Sequence, residues 1–257
     1  MSYSIYPKSL IAYGLNLLAL VLVVAACSSS KDITEEGGFS PAEITPEELV
    51  QQMQKSGLNS VEGKSKAMIS QPGNTDKATL NFKSTRTETL IEVKNRIGIE
   101  GGLLYLTEDS VLLYNRVDKY AKKTGRRSGQ LPELSGISPV NILQILDYQI
   151  EADDISQLRS NGEILQVVLN NDTMLKLWAD TKRIRGIHQP YRSDAPYTKI
   201  NFEGYSPIAG YSLPRKITII NSGRNTKVVL LMQNIEVNNE DMSLKPDIPA
   251  NIKVERL

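Results

Sequence analysis

The chain has 257 residues, with 30 Lys and Arg against 29 Asp and Glu, and a single His, Cys and Trp. One Cys excludes an internal disulfide or a Cys-rich zinc site, one His excludes a multi-His metal centre, and a near-zero net charge gives no global attraction to nucleic acid. At 40% hydrophobic and 23% charged residues the chain is globular, long enough for one domain or two small ones and able to bury roughly 70–75% of its unfolded surface without a staple.

Residues 1–26 read as a targeting signal. Lys8 is the only charge before an uninterrupted apolar run from Leu17 to Ala26. That length fits a secretory apolar region, whereas a spanning helix needs about 20 residues. The run ends in Val24-Ala25-Ala26-Cys27-Ser28, which resembles the bacterial lipobox: an aliphatic residue, two small residues and Cys. The resemblance implies diacylation of the Cys27 thiol, cleavage before it and acylation of the new N-terminus. The chemistry agrees, because a thiolate is the strongest side-chain nucleophile and two or more acyl chains anchor stably at about 0.8 kcal/mol per buried CH2. The alternative, an uncleaved anchor with Cys27 incidental, stretches a helix back to Leu10 across Tyr13, Gly14 and Asn16.

Processing removes Lys8 and no acid, so residues 27–257 carry 29 basic and 29 acidic side chains. Membrane attachment is then expected from the N-terminal lipid and not from a basic surface. For such lipoproteins, Ser28 in place of Asp implies an outer-membrane address, with the periplasmic face favoured over the cell surface. Residues 27–44 read as a flexible tether rich in Ser, Glu, Gly and Pro. Its charges, Lys31-Asp32 and Glu35-Glu36, fit either a surface-export signal or a solvated linker.

Residues 45–257 read as the folded domain. Thr45-Pro46-Glu47-Glu48 predicts a helix start, with Thr45 as cap, Pro46 at the first helical position and Glu48 closing a capping box. Gly57 is the expected stop, and Leu49, Val50 and Met53 form one apolar stripe over 46–56. The period then changes to two. In Lys77–Arg86, Ala78, Leu80, Phe82 and Ser84 face one way. Further strands are expected at 60–70, 89–99, 102–107, 110–121, 163–169, 173–179, 183–190, 197–205, 214–221 and 226–237. Turns are expected at Gly101-Gly102, Glu108-Asp109, Asn170-Asn171-Asp172 and Asn221-Ser222-Gly223. Short strands without a βαβ rhythm predict an antiparallel sheet or barrel. The interruption is 128–160, where Ser138-Pro139 opens a short helix with Ile142, Leu143, Ile145 and Leu146 on one face. Such a helix serves as a lid or plug over the sheet, or as plain core.

No nucleophile elbow, P-loop or dinucleotide fingerprint occurs, so a non-enzymatic protein without cofactor or metal is expected. His188 lies in a strand-like stretch and reads as a surface or hydrogen-bonded residue. Glu151, Asp153 and Asp154 read as a solvated acidic turn. Asn171-Asp172-Thr173 matches a glycosylation pattern but reads better as a hairpin turn. The sharpest local charge is basic: Arg116, Lys119, Lys122, Lys123, Arg126 and Arg127, opposed only by Asp118. It is either a solvated hairpin end or a contact for phosphate and anionic lipid head groups. Nucleic acid is disfavoured because few aromatics interleave with these charges.

The stretch from Leu106 to Tyr120 is similar to the T-x-D-S-V…N-R…K-x-Y segment of a Gram-negative outer-membrane lipoprotein family, a domain of unknown function grouped with the LolA/LolB-like fold. Thr107, Asp109, Ser110, Val111, Asn115, Arg116, Lys119 and Tyr120 carry the match. Leu213-Pro214, opening a late strand, resembles LolA/LolB relatives. The resemblance implies a mainly β (α+β) domain over about 44–250. Its core would be a curved antiparallel half-barrel of about ten or eleven strands with an N-terminal helix and an inserted lid or plug helix. It also implies an apolar concave side able to hold acyl chains of a lipid or lipoprotein. Candidate wall residues are Leu80, Phe82, Leu113, Leu165, Val167, Leu175, Leu177, Ile217 and Ile219; candidate lid residues are Ile142, Leu143, Ile145 and Leu146. Which strand face is concave stays open. A lipoprotein-receiving relative carries an exposed apolar loop tip, and the nearest counterpart here is Leu131–Ile137, broken by Glu133. The alternative function is an envelope interaction, sensor or assembly protein of the same fold, without a ligand and with an outer-membrane protein partner.

Overall fold

The computed structural model describes residues 38–54, 57–95, 97–126, 131, 139–192 and 195–257. Cys27, Arg127 and Ser138 lie outside these residues. The first helix, α1 (Pro46–Met53), begins as its sequence predicts. The Thr45 hydroxyl accepts from the Glu48 amide, and the Glu48 carboxylate accepts from the Thr45 amide. Leu49 is fully buried on its apolar stripe. The helix is capped at Gln54, short of the expected end.

Among the described residues, seventeen strands form two sheets. A first meander consists of β2 (Ser60–Gln71), β3 (Asn74–Thr85), β4 (Thr89–Lys94), β5 (Glu100–Leu106), β6 (Ser110–Asn115) and β7 (Tyr120–Gly125). A second consists of β8 (Ile155–Ser160), β9 (Ile164–Leu169), β10 (Met174–Trp178), β11 (Ile184–His188), β12 (Lys199–Glu203), β15 (Lys216–Asn221) and β16 (Thr226–Val237). The two join where β16 pairs antiparallel with β2 over nearly the full length of both. A two-residue strand, β1 (Ser40–Pro41), lines up outside β8, inside the stretch that reads as tether. A terminal strand, β17 (Val254–Arg256), pairs in parallel outside β7. A small hairpin of β13 (Ser206–Ile208) and β14 (Tyr211–Leu213) stands apart. The sheet is therefore open, antiparallel except at one edge, and larger than the expected ten or eleven strands.

The extra strands have identifiable causes. The expected strand 110–121 is two strands, because the Asn115 carboxamide accepts from the amides of Val117 and Asp118 and folds a tight turn, with Lys119 at φ 55. Gly101-Gly102 is not a turn. The turn is at 95–99, where the Asn95 carboxamide accepts from Ile97 and Ile99. Gly102 instead sits where a Cβ would come within 2.1 Å of the Tyr114 carbonyl oxygen, so it permits the close β5–β6 approach. Gly63 does the same opposite the β16 bulge, with the Asn234 carbonyl 2.1 Å from an added Cβ. β8 is polar on one face and lies near a sheet edge, which hides it from a hydrophobicity count.

The chain order imposes one long crossing. β7 and β8 are consecutive but lie near opposite edges of the sheet. Their connection carries α2 (Ile142–Leu146), which packs against β2 and β3 in the middle of the sheet. This face, together with α1, holds the main core. A second, smaller core covers the other face, where Leu244, Ile248 and Ile252 of the C-terminal segment pack on Leu90, Leu103, Tyr114 and Ala121. Alternating side-chain direction along each strand produces both.

Candidate functional site

The strand registers place all nine candidate wall residues on one face. Phe82 lies opposite Gly63 and Ile91, and Leu80 opposite Ser65 and Val93. Leu113 lies opposite Leu104. Ile217 and Ile219 lie opposite Leu230 and Val228, and Leu175 and Leu177 opposite Val167 and Leu165. This is also the face that receives α1 and α2. Registers supply what the sequence leaves open, because directly paired residues point the same way.

Packing then divides that face. Phe82, Leu165, Val167, Leu175, Leu177 and Ile217 are buried in the main core. Leu80, Leu113 and Ile219 border a cavity of about 480 Å³. Ile91, Val93 and Leu104 extend its floor, Val228 and Leu230 its far wall, and Pro139, Val140, Ile142 and Pro196 its roof. The cavity exists because α2 has only five residues and covers only the centre of a wide sheet, and because Ala67, Gly101 and Gly102 bring little bulk.

The four candidate lid residues separate likewise. Ile142 roofs the cavity, Leu143 and Leu146 enter the core, and Ile145 borders a second cleft. The helix is capped by Asn141, not by the expected Ser138-Pro139. The Asn141 carboxamide accepts from Gln144 N–H at 2.9 Å and donates to the Thr85 carbonyl at 2.9 Å. Ser84 donates to the same carboxamide at 3.0 Å and accepts from Leu143 N–H at 3.1 Å. An ion pair between Arg86 and the buried Asp147 holds the helix end. The plug is thus bolted to the β3–β4 hairpin.

The cavity's polar rim, including Gln71, Asn74, Asp76, Asn115, Tyr120, Asn221 and Thr226, lies at one end of the sheet. The registers gather four turns there: 71–74, 95–99, 116–119 and 222–225. Three large apolar side chains are exposed on two of them: Ile97 (79%), Ile99 (56%) and Val117 (68%). The stretch Leu131–Ile137, expected as the apolar loop, is described only at Leu131, which is buried with Leu106 and Val111. Sequence reasoning passed over Ile97 and Ile99 because the expected strand 89–99 absorbed them.

The basic cluster disperses. Arg116 pairs with Glu100 and Asp247 at 3.3 and 3.0 Å and stacks over Tyr114. Lys122 lies over the Tyr120 ring. Lys119, Lys123 and Arg126 are exposed. The residues of the T-x-D-S and N-R segments serve turns: Thr107 and Ser110 hydrogen-bond across the β5–β6 loop, and Asn115 builds the β6–β7 loop. Asn171 and Asp172 form the β9–β10 turn, and Asp153 and Asp154 form an exposed single turn of 3-10 helix.

Four tyrosines are held in their neutral form. Burial, reinforced by a hydrogen bond and repulsion from Glu88, pushes Tyr105 up to about 12. Burial pushes Tyr148, Tyr197 and Tyr205 up as well. Among the described residues no group of three His, Cys, Asp or Glu is placed to hold a metal, and no helix is long and apolar enough to cross a membrane.

No protein-family model matches the sequence, and no curated protein matches it. Solved structures do resemble the fold. A domain assigned to the outer membrane lipoprotein-sorting proteins, from Vibrio parahaemolyticus, is similar at a TM-score of 0.51 and 12% identity, over 75% of this chain and 92% of its own. A DUF1329-family protein from Desulfovibrio piger is similar at 0.53 and 13%, over 77% and 93%. A LolA-superfamily protein from Nitrosomonas europaea is similar at 0.50 and 9%, over 76% and 94%. At these identities the likeness concerns the fold alone.

Proposed function

We propose that this chain is a non-enzymatic envelope protein, lipid-anchored through Cys27 to the outer membrane, that binds acyl chains of a lipid or lipoprotein in the cavity on the inner face of its sheet. One observation carries the reading: among the described residues, the cavity of about 480 Å³ is apolar on floor, wall and roof and polar at its rim. Its size falls within the range of about 300–1,000 Å³ usual for small-molecule sites. The apolar lining suits the hydrocarbon body of such a ligand. The fold shared with a lipoprotein-sorting domain supports the same class of ligand.

Ile97, Ile99 and Val117 add a means of delivery. They sit on turns beside the rim, so a bilayer that receives these side chains also faces the cavity opening. Mass spectrometry of the purified protein under native conditions tests the proposal. Co-purifying fatty acid or phospholipid is the expected result. A ligand-free protein that takes up no lipid from vesicles, yet captures an outer-membrane protein, sinks it and leaves the interaction-protein alternative.

A further inference from the structure

A second cleft, of about 490 Å³, lies on the other side of the helix entry. Arg86, Arg126, Gln144, Asp147, Tyr148 and Tyr197 are among its lining residues. Val140 and Pro196 line both this cleft and the apolar cavity, so the two spaces adjoin across one apolar wall.

Their charges are opposite. Among the described residues, the one charged side chain lining the apolar cavity is Asp76, at its rim. Among the described residues, the cleft holds Arg86, Arg126 and Asp147, an excess of one positive charge. Asp147 is already paired with Arg86. Arg126 has no carboxylate partner among the described residues; its backbone amide bonds Asp109 and fixes its place at the end of β7, while its guanidinium is exposed in the cleft. Of the six basic residues the sequence singles out at 116–127, Arg126 alone among the described ones borders either space.

We infer that the cleft receives the phosphate of an anionic amphiphile whose acyl chain lies in the adjoining cavity, with Arg126 as the cationic contact and Val140 and Pro196 as the sill between head and tail. The inference rests on the acyl-chain reading above and adds a head-group preference and an orientation. An anionic head is repelled at the Asp76 rim and attracted at Arg126, so charge directs the head to the cleft and the tail toward the turn-bearing end. A guanidinium matches phosphate oxygens in a planar fork, and such charge-assisted contacts exceed neutral ones in strength.

The test uses the full-length protein and displacement of a fluorescent acyl-chain probe. Lysophosphatidylglycerol and lysophosphatidylcholine with the same tail are compared below their micellar concentrations. The expected result is about tenfold tighter binding of the anionic lipid. Arg126→Gln brings the ratio to about one and leaves the zwitterionic lipid unchanged, while Arg126→Lys keeps most of the preference. Millimolar inorganic phosphate leaves the preference in place, because phosphate without a tail lacks the apolar contribution. Equal affinities in the parent protein, or a preference that survives Arg126→Gln, overturn the inference while the acyl-chain reading stands. Loss of the preference in inorganic phosphate assigns the cleft to free phosphate and also overturns it. Failure of both lipids to displace the probe removes the acyl-chain reading and this inference together.

Discussion

The Ser84 hydroxyl lies 3.0 Å from the Asn141 carboxamide oxygen, joining the middle of the sheet to the first turn of the inserted helix across 57 positions of sequence. Both side chains are buried, and each makes further bonds: Ser84 to Thr89 and to Leu143 N–H, Asn141 to Gln144 N–H and the Thr85 carbonyl. Asn141→Ala removes a cap and leaves buried donors unpaired, at an expected cost of about 2 kcal/mol. Ser84→Ala costs about 1 kcal/mol or more. In a denaturation-based double-mutant cycle the pair should couple, with the double variant less destabilised than the sum of the singles. Additive losses would show that the two anchor the helix independently.

Packed wall and open wall should respond in opposite ways. Leu177 is fully buried beside Leu165, and Leu177→Ala is expected to cost about 2–5 kcal/mol by leaving a void. Val228 faces the cavity, and Val228→Phe fills existing space, so its stability should stay within about 1 kcal/mol of the parent. Lipid recovery should drop for Val228→Phe. Unchanged lipid content in that variant would place the ligand elsewhere.

Ile97→Glu together with Ile99→Glu should leave thermal unfolding unchanged, because neither side chain is packed. Transfer of bound lipid to vesicles should slow, since a charge in place of each apolar side chain opposes insertion into hydrocarbon. A transfer rate equal to the parent's would remove the turns from the delivery step.

Alkaline pH should destabilise the fold. Tyr105 loses its proton near 12 in the folded state against about 10 in the unfolded chain, and burial shifts Tyr197 and Tyr205 the same way. Between those values the unfolded state binds fewer protons, so stability is full below about pH 10 and falls as pH rises toward 12. Ultraviolet titration of the phenols, followed in parallel with unfolding midpoints, checks this. Phenol ionisation complete at pH 10 without unfolding would contradict it.

On the lipid-anchor proposal, Cys27→Ser should release the protein from the membrane fraction, because residues 27–257 carry no net side-chain charge to hold it there. Retention of that variant in the membrane pellet would refute lipid anchoring.

The sequence alone determined features that depend on neighbours along the chain. Thr45 to Glu48 fixed the start of α1, because a capping box needs only side chains three residues apart. Alternation fixed which residues of β3 share a face, because the strand period is two. The motif from Thr107 to Tyr120 pointed to the right fold through residues that turn out to build its turns. Tertiary structure decided what depends on partners far away. The pairing of β16 with β2 selected the inner face, and the crossing from β7 to β8 set α2 over its centre. Asn141 became the cap in place of Ser138-Pro139 because Ser84 and the Thr85 carbonyl wait there to bond it. Leu80 and Leu177 are identical residues on equivalent strand positions of one face. One borders the cavity and the other is sealed in the core. Local pattern sets the direction of a side chain; the elements that arrive opposite it set whether it packs or leaves room for a ligand.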